Sequence, residues 1–517
     1  MRIGIDVGGT NTDAVLLDDT KVLAANKAVT TDDVTSGIVG ALEALQAEHA
    51  FDPGEIQAVM IGTTHFINAL IEAERLAPTA ALRLGLPATA SLPPFVDWPE
   101  RLVKAINGRG YLAHGGHEFD GRHIAELQPD EIRRHAADMV VNGVRSVAIS
   151  SVFSPVNNEF EREAAQIIVE ELGPGVAISL SHEIGRIGLL ERENATIINA
   201  ALRELATHIV DGLAASVTGH GIHAPLFLSQ NDGTLMAVDF ARRYPVATFA
   251  SGPTNSMRGA ALLSGLQTCA VVDVGGTTSD VGVLTNGFPR EATTEVDVAG
   301  IRTNFRMPDV LSIGIGGGSH VVEGAAGVAV GPRSVGHRLT KEARIFGGST
   351  LTASDIAVAA GRADFGDTSA VANLDPAVVK AALARVAADI ADTVERMRTS
   401  PEPLPVVAVG GGSILMPDEL VGCGAVHRPE NFAVANAIGA AIAQVGGEVD
   451  RVYAIAPGRR DEVLDEARQE AVDRAVAAGA DPRHVRIVDF DEVPLPYLPG
   501  NATRVRCKAV GDLTLAR

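Results

Sequence analysis

Cysteine is scarce in this chain of 517 residues: Cys269, Cys423 and Cys507 stand alone, with no Cys-x-x-Cys pair. That excludes a disulfide framework and a cysteine zinc site, and it fits a reducing compartment. Aromatic residues make up 4% of the chain, with Trp98 the single tryptophan. Basic residues are in deficit, 43 against 64 acidic ones, for a net charge of −21. Such a balance disfavours nucleic acid or an anionic membrane as the main partner. It leaves room for a nucleotide, because backbone amides and a metal ion can hold phosphates inside an acidic protein. No uncharged apolar run reaches the roughly 18 residues of a membrane span. The N-terminus opens on MRIGIDVGG, without the apolar stretch and cleavage site of a signal peptide. The expectation is a cytoplasmic protein with no membrane partner.

What is abundant is apolar surface, at 46% of residues, arranged as short runs that end in glycine clusters and alternate with Ala-rich stretches. This is the pattern of an α/β protein with sizeable cores. The periodicity predicts strands over residues 2–7, 14–17, 58–61, 146–150, 270–274, 281–284 and 406–409. It predicts helices over 35–49, 130–142, 159–172, 186–216, 256–263, 376–398 and 459–478, with 186–216 long enough to bridge two lobes. Residues 84–127 are rich in Pro, Gly and His and read as an irregular loop or lid. The expected division is a first lobe over 1–183, a second over 184–450 and a small C-terminal α/β module over 451–517.

An internal repeat sets the fold expectation. Residues 6–16 read DVGGTNTDAVL and residues 273–284 read DVGGTTSDVGVL, each after a β-branched strand and before a second apolar run. Each copy is therefore strand, glycine turn, strand. Paired glycines let backbone N–H groups converge on one spot, because no Cβ blocks the approach. Thr10, Thr12, Thr277 and Thr278 can add hydroxyl donors. Asp6 and Asp273 close the first strands and face the turns. Carboxylates beside phosphates make sense when Mg²⁺ sits between them through water. Two such hairpins facing each other would grip a triphosphate from both sides. A third cluster, VVAVGGGS at 406–413, reads as strand, glycine turn and helix start, a place where a flat adenine can approach backbone. A fourth, IGIGGGS at 313–319, either lines the cleft or marks close backbone packing.

Two hairpins and a late VGGGS resemble the sugar kinase, heat-shock ATPase and actin superfamily. Within it the chain resembles the hydantoinase A and 5-oxoprolinase family. The matching segments are 3–16 (IGIDVGGTNTDAVL), 61–72 (IGTTHFINALIE), 190–202 (LERENATIINAAL), 250–261 (ASGPTNSMRGAA), 271–284 (VVDVGGTTSDVGVL), 313–319 and 330–336 (VGPRSVG). The resemblance implies a two-lobed actin-like ATPase fold of duplicated ribonuclease H-like domains. It implies ATP-dependent opening of a cyclic amide with ADP and phosphate as products, related activation serving ketone carboxylation in relatives. Carried over, ATP-binding falls to Gly8, Gly9, Thr10, Asn11, Thr12, Gly275, Gly276, Thr277 and Thr278, with Gly410, Gly411, Gly412 and Ser413 at the adenosine. Asp6 and Asp273 are the magnesium-side acids. The resemblance also implies a separate second subunit and an oligomer. One departure is residues 337–348, HRLTKEARIFGG, where longer members carry a Pro-Gly-Pro-x-Cys stretch. A small-molecule kinase and a non-catalytic ATP-driven activator or assembly protein are the alternatives.

For substrate contacts the candidates are Thr63, Thr64, His65 and Asn68, at the C-terminal end of the strand over 58–61, where α/β proteins tend to place ligands. His65 is a general base or donor, or else a loop histidine satisfied locally. His182 and Glu183 form a second acid/base candidate. His114, His117 and His123 either bind a metal or belong to a solvated lid. Asp13 and Asp280 end the hairpins. Arg333, Arg338, Lys341 and Arg344 contact an anion or form a solvated face.

Overall fold

The computed structural model describes residues 1–8, 11–29, 34–292, 295–325, 327–442, 444–496 and 501–515. Three sheets organise them. The first has nine strands, in the order Arg486–Pro494, Ala502–Asp512, Gln444–Ala454, Leu235–Ala237, Leu226–Ser229, Ala58–Thr63, Arg2–Val7, Asn11–Asp18 and Lys21–Val29. The second is built on Cys269–Val274, paired on one side with Ser279–Thr285 and on the other, in parallel, with Val406–Val409. The third is a four-stranded parallel sheet, Arg109–His114, Thr79–Leu86, Ser146–Ser151 and Ala177–Leu180.

The first two sheets repeat one design. In each, an antiparallel hairpin carries the Asp-Val-Gly-Gly motif and a parallel strand lies on the open side of its first arm. The central strands read as continuous β-branched runs because they are covered on both faces. On the first sheet, Ile3, Ile5, Ala14 and Leu16 pack with helices Val34–Glu48 and Leu189–Gly219, while Val15 and Leu17 pack with Ala437, Ile438 and Ala441. On the second, Val272 and Val281 pack with helix Pro376–Met397, while Val271 and Leu284 pack with Met257, Ala260 and Ala435. Helices Ser251–Ser264 and Ala435–Ala440 thus form the layer between the two sheets. They approach through glycine: a Cβ on Gly259 would lie 1.9 Å from the Ala435 carbonyl oxygen, and one on Gly439 would lie 1.8 Å from that of Asn255.

The structure corrects four expectations. Residues 84–127 are no mere irregular lid: they hold helix Glu100–Ala105 and strand Arg109–His114, an edge of the four-stranded sheet. The Pro and Gly content masked a short strand whose Tyr111 and Ala113 are buried. The boundary at 183/184 does not separate the lobes, because the strands at 226–229 and 235–237 join the first sheet. The C-terminal residues are no separate module. Strands Gln444–Ala454, Arg486–Pro494 and Ala502–Asp512 extend the first sheet, and helix Arg460–Ala477 shares a core with Ala58 and Met60. Helix Leu189–Gly219 packs between the nine-stranded and four-stranded sheets, away from the sheet of the second hairpin. Its first turns carry a buried pair, Glu193 with Arg83 and Ser150, and Asn194 accepts a hydrogen bond of 2.8 Å from Trp98 Nε1.

Candidate active site

The two hairpins superpose in register. Asp6 lies opposite Asp13 and Val7 opposite Thr12; Asp273 lies opposite Asp280 and Val274 opposite Ser279. The turns close alike, by Gly8 N–H donating to Asn11 O at 3.0 Å and Gly275 N–H to Thr278 O at 2.9 Å. Gly9 and Thr10 lie outside the described residues. The second turn is exposed at Gly276, Thr277 and Thr278, whose amides donate no hydrogen bond among the described residues. Its carbonyls are taken instead: Gly317 N–H donates to Gly275 O at 2.9 Å and Gly318 N–H to Gly276 O at 2.7 Å. The fourth glycine cluster therefore packs directly on this turn, and a Cβ on Gly316 would sit 2.6 Å from Thr277 N. Free N–H donors on an exposed glycine turn are what a phosphate needs.

Each acid sits in a notch that only glycine allows. A Cβ on Gly62, the parallel neighbour of Asp6, would lie 2.2 Å from its Oδ1. A Cβ on Gly410, at φ +82°, would lie 2.2 Å from Oδ1 of Asp273. Consecutive residues of one helix serve the two carboxylates: Asn255 Nδ2 donates to Asp6 at 2.9 Å and Ser256 Oγ donates to Asp273 at 2.5 Å. Asn436, on the partner helix of the middle layer, donates to Asp6 at 3.0 Å and to Asp13 at 2.7 Å. Lys27 Nζ pairs with Asp13 at 2.8 Å.

Burial dominates the electrostatics. It pushes the Asp273 carboxyl up to about 6, against the Ser256 hydrogen bond, with Asp280 and Asp6 raising it further and Lys27 lowering it. Burial also raises Asp6, opposed by the amides of Asn255 and Asn436. With Asn255 on Asp6 and the adjacent Ser256 on Asp273, the two hairpins come together on one helix. Asp6 is buried and Asp273 half-buried, and the nearby cation, Lys27, is paired with Asp13, so the two carboxylates are short of positive charge. A hydrated divalent cation would supply it, so the residues present fit magnesium. At the third glycine cluster, Gly411 has open space where its Cβ would be, and Ser413 Oγ is buried without a hydrogen-bond partner. The expected helix start there is a 3-10 turn, Gly411–Leu415.

Comparison with known proteins gives this geometry a family. The sequence profile described as the hydantoinase/oxoprolinase N-terminal region matches residues 2–172, and that described as hydantoinase/oxoprolinase matches residues 192–397. The chain belongs to the hydantoinase/oxoprolinase family. Among relatives, it is 29% identical to the caprolactamase subunit alpha of Pseudomonas jessenii over 65% of this chain and 51% of that one. It is 26% identical to the acetophenone carboxylase gamma subunit of Aromatoleum aromaticum over 69% of this chain and 53% of that one. The chain therefore spans about half the length of these curated relatives. Among solved structures, ATP-dependent caprolactamase from Pseudomonas jessenii aligns with a TM-score of 0.79 at 19% identity, covering 100% of this chain and 88% of that one. Nucleotide-free acetone carboxylase aligns at 0.69 and 18% identity, over 99% and 88%. These likenesses establish the two-lobed actin-like fold.

In this hydantoinase/oxoprolinase chain the Thr-Thr-His segment follows Gly62 directly, beside the first hairpin. Thr63 is buried and exchanges hydrogen bonds of 3.3 and 3.2 Å with Ser251, at the start of the middle-layer helix. Its Oγ1 meets His65 Nδ1 at 2.6 Å. Thr64 N–H donates to Val7 O at 3.4 Å, and Asn68 Nδ2 donates to Thr64 Oγ1 at 3.4 Å. Burial, with the charge of Arg75, presses His65 down to about 4, so the ring is neutral across the physiological range.

Other candidates do not join the cleft. His182 and Glu183 diverge: His182 Nδ1 meets Glu161 at 2.5 Å, whereas Glu183 accepts from Arg243 at 2.7 Å and Tyr244 at 2.8 Å. Arg338 pairs with Glu342 at 2.9 Å on the surface. Of that basic segment it is Ser334 that reaches the second hairpin, 3.4 Å from Gly276 O. Sequence reasoning missed Gly62, Lys27, Asn255, Ser256 and Asn436 as site residues. Asn255 and Ser256 stood within a recognised segment, ASGPTNSMRGAA, but only the fold shows that neighbours on one helix address two sheets.

Proposed function

We propose that this chain is the ATP-handling part of an ATP-dependent cyclic amidohydrolase, opening a hydantoin, oxoproline or lactam ring together with a separate subunit. One observation carries the reading: the two Asp-Val-Gly-Gly-Thr hairpins of the duplicated sheets have Asp6 and Asp273 tied by adjacent residues of one helix. The names of the relatives support the chemistry, caprolactamase above all.

An amide carbonyl is a poor electrophile because the nitrogen lone pair delocalises into it. Transfer of the γ-phosphoryl group to the carbonyl oxygen forms an O–P bond, breaks the bond to ADP and removes that delocalisation. One water then adds to the carbon and the ring C–N bond breaks, the nitrogen taking a proton, which leaves an acyl phosphate; a second water cleaves that, giving the ring-opened acid and phosphate beside the ADP already formed. The protein's work is positioning and charge neutralisation. Turn amides at Gly276, Thr277 and Thr278 would hold phosphate oxygens. Asp6 and Asp273 would hold Mg²⁺ through water, and the ion would offset charge on the polyphosphate. Asn255, Ser256 and Asn436 keep both carboxylates aimed. Thr63, Thr64 and neutral His65 stand at the strand end beside them, where the ring carbonyl would lie; a neutral imidazole can accept a proton from water or donate to the carbonyl.

The test is a screen of hydantoins, oxoproline and lactams with ADP release as readout, run with and without the partner subunit. Ring-opened acid formed in step with ADP supports the proposal. A stable phosphorylated product would make the chain a kinase, and ATPase activity without small-molecule turnover would make it a regulator. Because acetone and acetophenone carboxylase subunits are also relatives, a second arm supplies ketones with bicarbonate; carboxylation there, with no ring opening, would replace the amidohydrolase reading.

A further inference from the structure

We propose that His117, His123 and Glu159 form a site for a divalent transition-metal ion of the zinc type, in the four-stranded-sheet unit and separate from the Asp6–Asp273 cleft. One ligand atom from each lies within 4.8 Å of the others. His117 Nε2 is 3.1 Å and His123 Nε2 2.8 Å from the same carboxylate oxygen, Oε1 of Glu159. A tetrahedral ion with bonds of about 2.0–2.1 Å sets its ligands about 3.3 Å apart. The two histidine–carboxylate separations need to open by only a few tenths of an ångström to match it.

The frame is built before any ion arrives. The two histidines face each other across an antiparallel bridge, reinforced by Ile124 N–H donating to Gly116 O at 2.8 Å and Glu118 N–H donating to Arg122 O at 2.7 Å. Both rings pack on Phe160, at centroid distances of 4.5 and 4.7 Å. Glu159 and Phe160 open the helix Glu159–Leu172, so the helix sets the carboxylate against the rings. His123 Nδ1 meets Glu126 Oε1 at 3.0 Å. A carboxylate behind a histidine is how ligating imidazoles are oriented and made more basic. His117 is fully buried and its Nδ1 has no partner, so only contacts at Nε2 decide its tautomer. The Glu159 side chain is 50% exposed, which leaves the fourth position to water. His114, the third histidine of the segment, turns to Glu131 instead and takes no part.

An imidazole ligates a metal ion only in its neutral form, so affinity should rise with pH. The bound ion would clip the loop over 116–124 to the first turn of the helix. This inference is independent of the proposed reaction.

The experiment uses full-length, tag-free protein stripped with chelator, then titrated with zinc sulfate by calorimetry at pH 6.5 and pH 8, with cobalt(II) absorption as a report of coordination. Expected are one zinc ion per chain, tighter binding at pH 8, and the intense visible bands of four-coordinate cobalt. His123→Gln and Glu159→Gln, both at exposed positions, should weaken zinc more than about tenfold while leaving metal-free melting unchanged; Glu126→Gln should weaken it by about 10–100-fold. No saturable uptake, six-coordinate cobalt only, or equal zinc affinity in wild type and both ligand variants would overturn the proposal. Should a variant melt early, the wild-type cobalt spectrum decides.

Discussion

Asp273 and His65 titrate in opposite directions for the same reason. Burial disfavours the charged form of each, lifting the carboxyl to about 6 and pressing the imidazole to about 4. In the folded chain Asp273 therefore binds its proton above the unfolded carboxylate range, so that contribution stabilises the fold as pH falls through about 6 and is absent above it. Cation binding demands the ionised form and pulls the other way. The affinity for magnesium nucleotide should fall about tenfold per pH unit below pH 6, as measured by calorimetry. His65→Gln should leave that acid limb in place, since His65 is neutral throughout; a limb that vanishes with His65 would reverse the assignment. The glycine notches make a second residue-scale prediction. Gly62→Ala puts a Cβ 2.2 Å from Asp6 Oδ1, so the carboxylate must move. The variant should lose nucleotide affinity at least tenfold, with a stability loss of about 1–3 kcal/mol, seen by titration and urea unfolding. Of such details the sequence showed Asp6, Asp273 and the hairpin glycines, because their motif is local and repeated. Gly62 and Asn436 were illegible, because each acquires its role from a strand or helix far away in the chain.

The hairpins themselves were legible as elements. Two copies of one eleven- to twelve-residue pattern predict strand, turn and strand, and the register of the two pairs agrees residue for residue. Of the middle-layer helices, Ser251–Ser264 was legible over 256–263 only, and Ala435–Ala440 was not legible at all. Ser251–Ser264 carries glycine, proline and polar residues that argue against a buried helix, yet its small residues let it cross Ala435–Ala440 closely. Gly259→Ala would drive a Cβ to 1.9 Å from the Ala435 carbonyl oxygen. It should cost about 1–3 kcal/mol in denaturant unfolding and lower nucleotide affinity in parallel, since Asn255 and Ser256 ride on the same helix. The C-terminal strands are a further case. Their alternation is plain in sequence, but pairing partners are not, so 451–517 read as a free-standing module. Because Val445, Val449 and Val505 share a core with Ala58 and Met60, a chain truncated before Gln444 should be insoluble or unfolded, checked by expression and circular dichroism. A soluble, nucleotide-binding truncation would restore the separate module.

At the scale of the whole molecule, two sheets share a middle layer and a cleft. Closure on nucleotide should reduce the radius of gyration in solution scattering when magnesium nucleotide is added; an unchanged profile would mean that the lobes are already fixed in their closed setting. Among the described residues no helix is long and apolar enough to cross a membrane.

The neighbouring positions of Asn255 and Ser256 have a mechanical corollary. One residue step along a helix is about 1.5 Å, so the two carboxylates are gripped by adjacent rungs of a single stiff rod. Rotating one lobe against the other must lengthen one grip or drag the rod with it. Filling the site and setting the hinge angle are then one equilibrium read from two ends. Whatever docks on the outer surface and prefers one hinge angle must, by reciprocity, shift nucleotide affinity by the same factor.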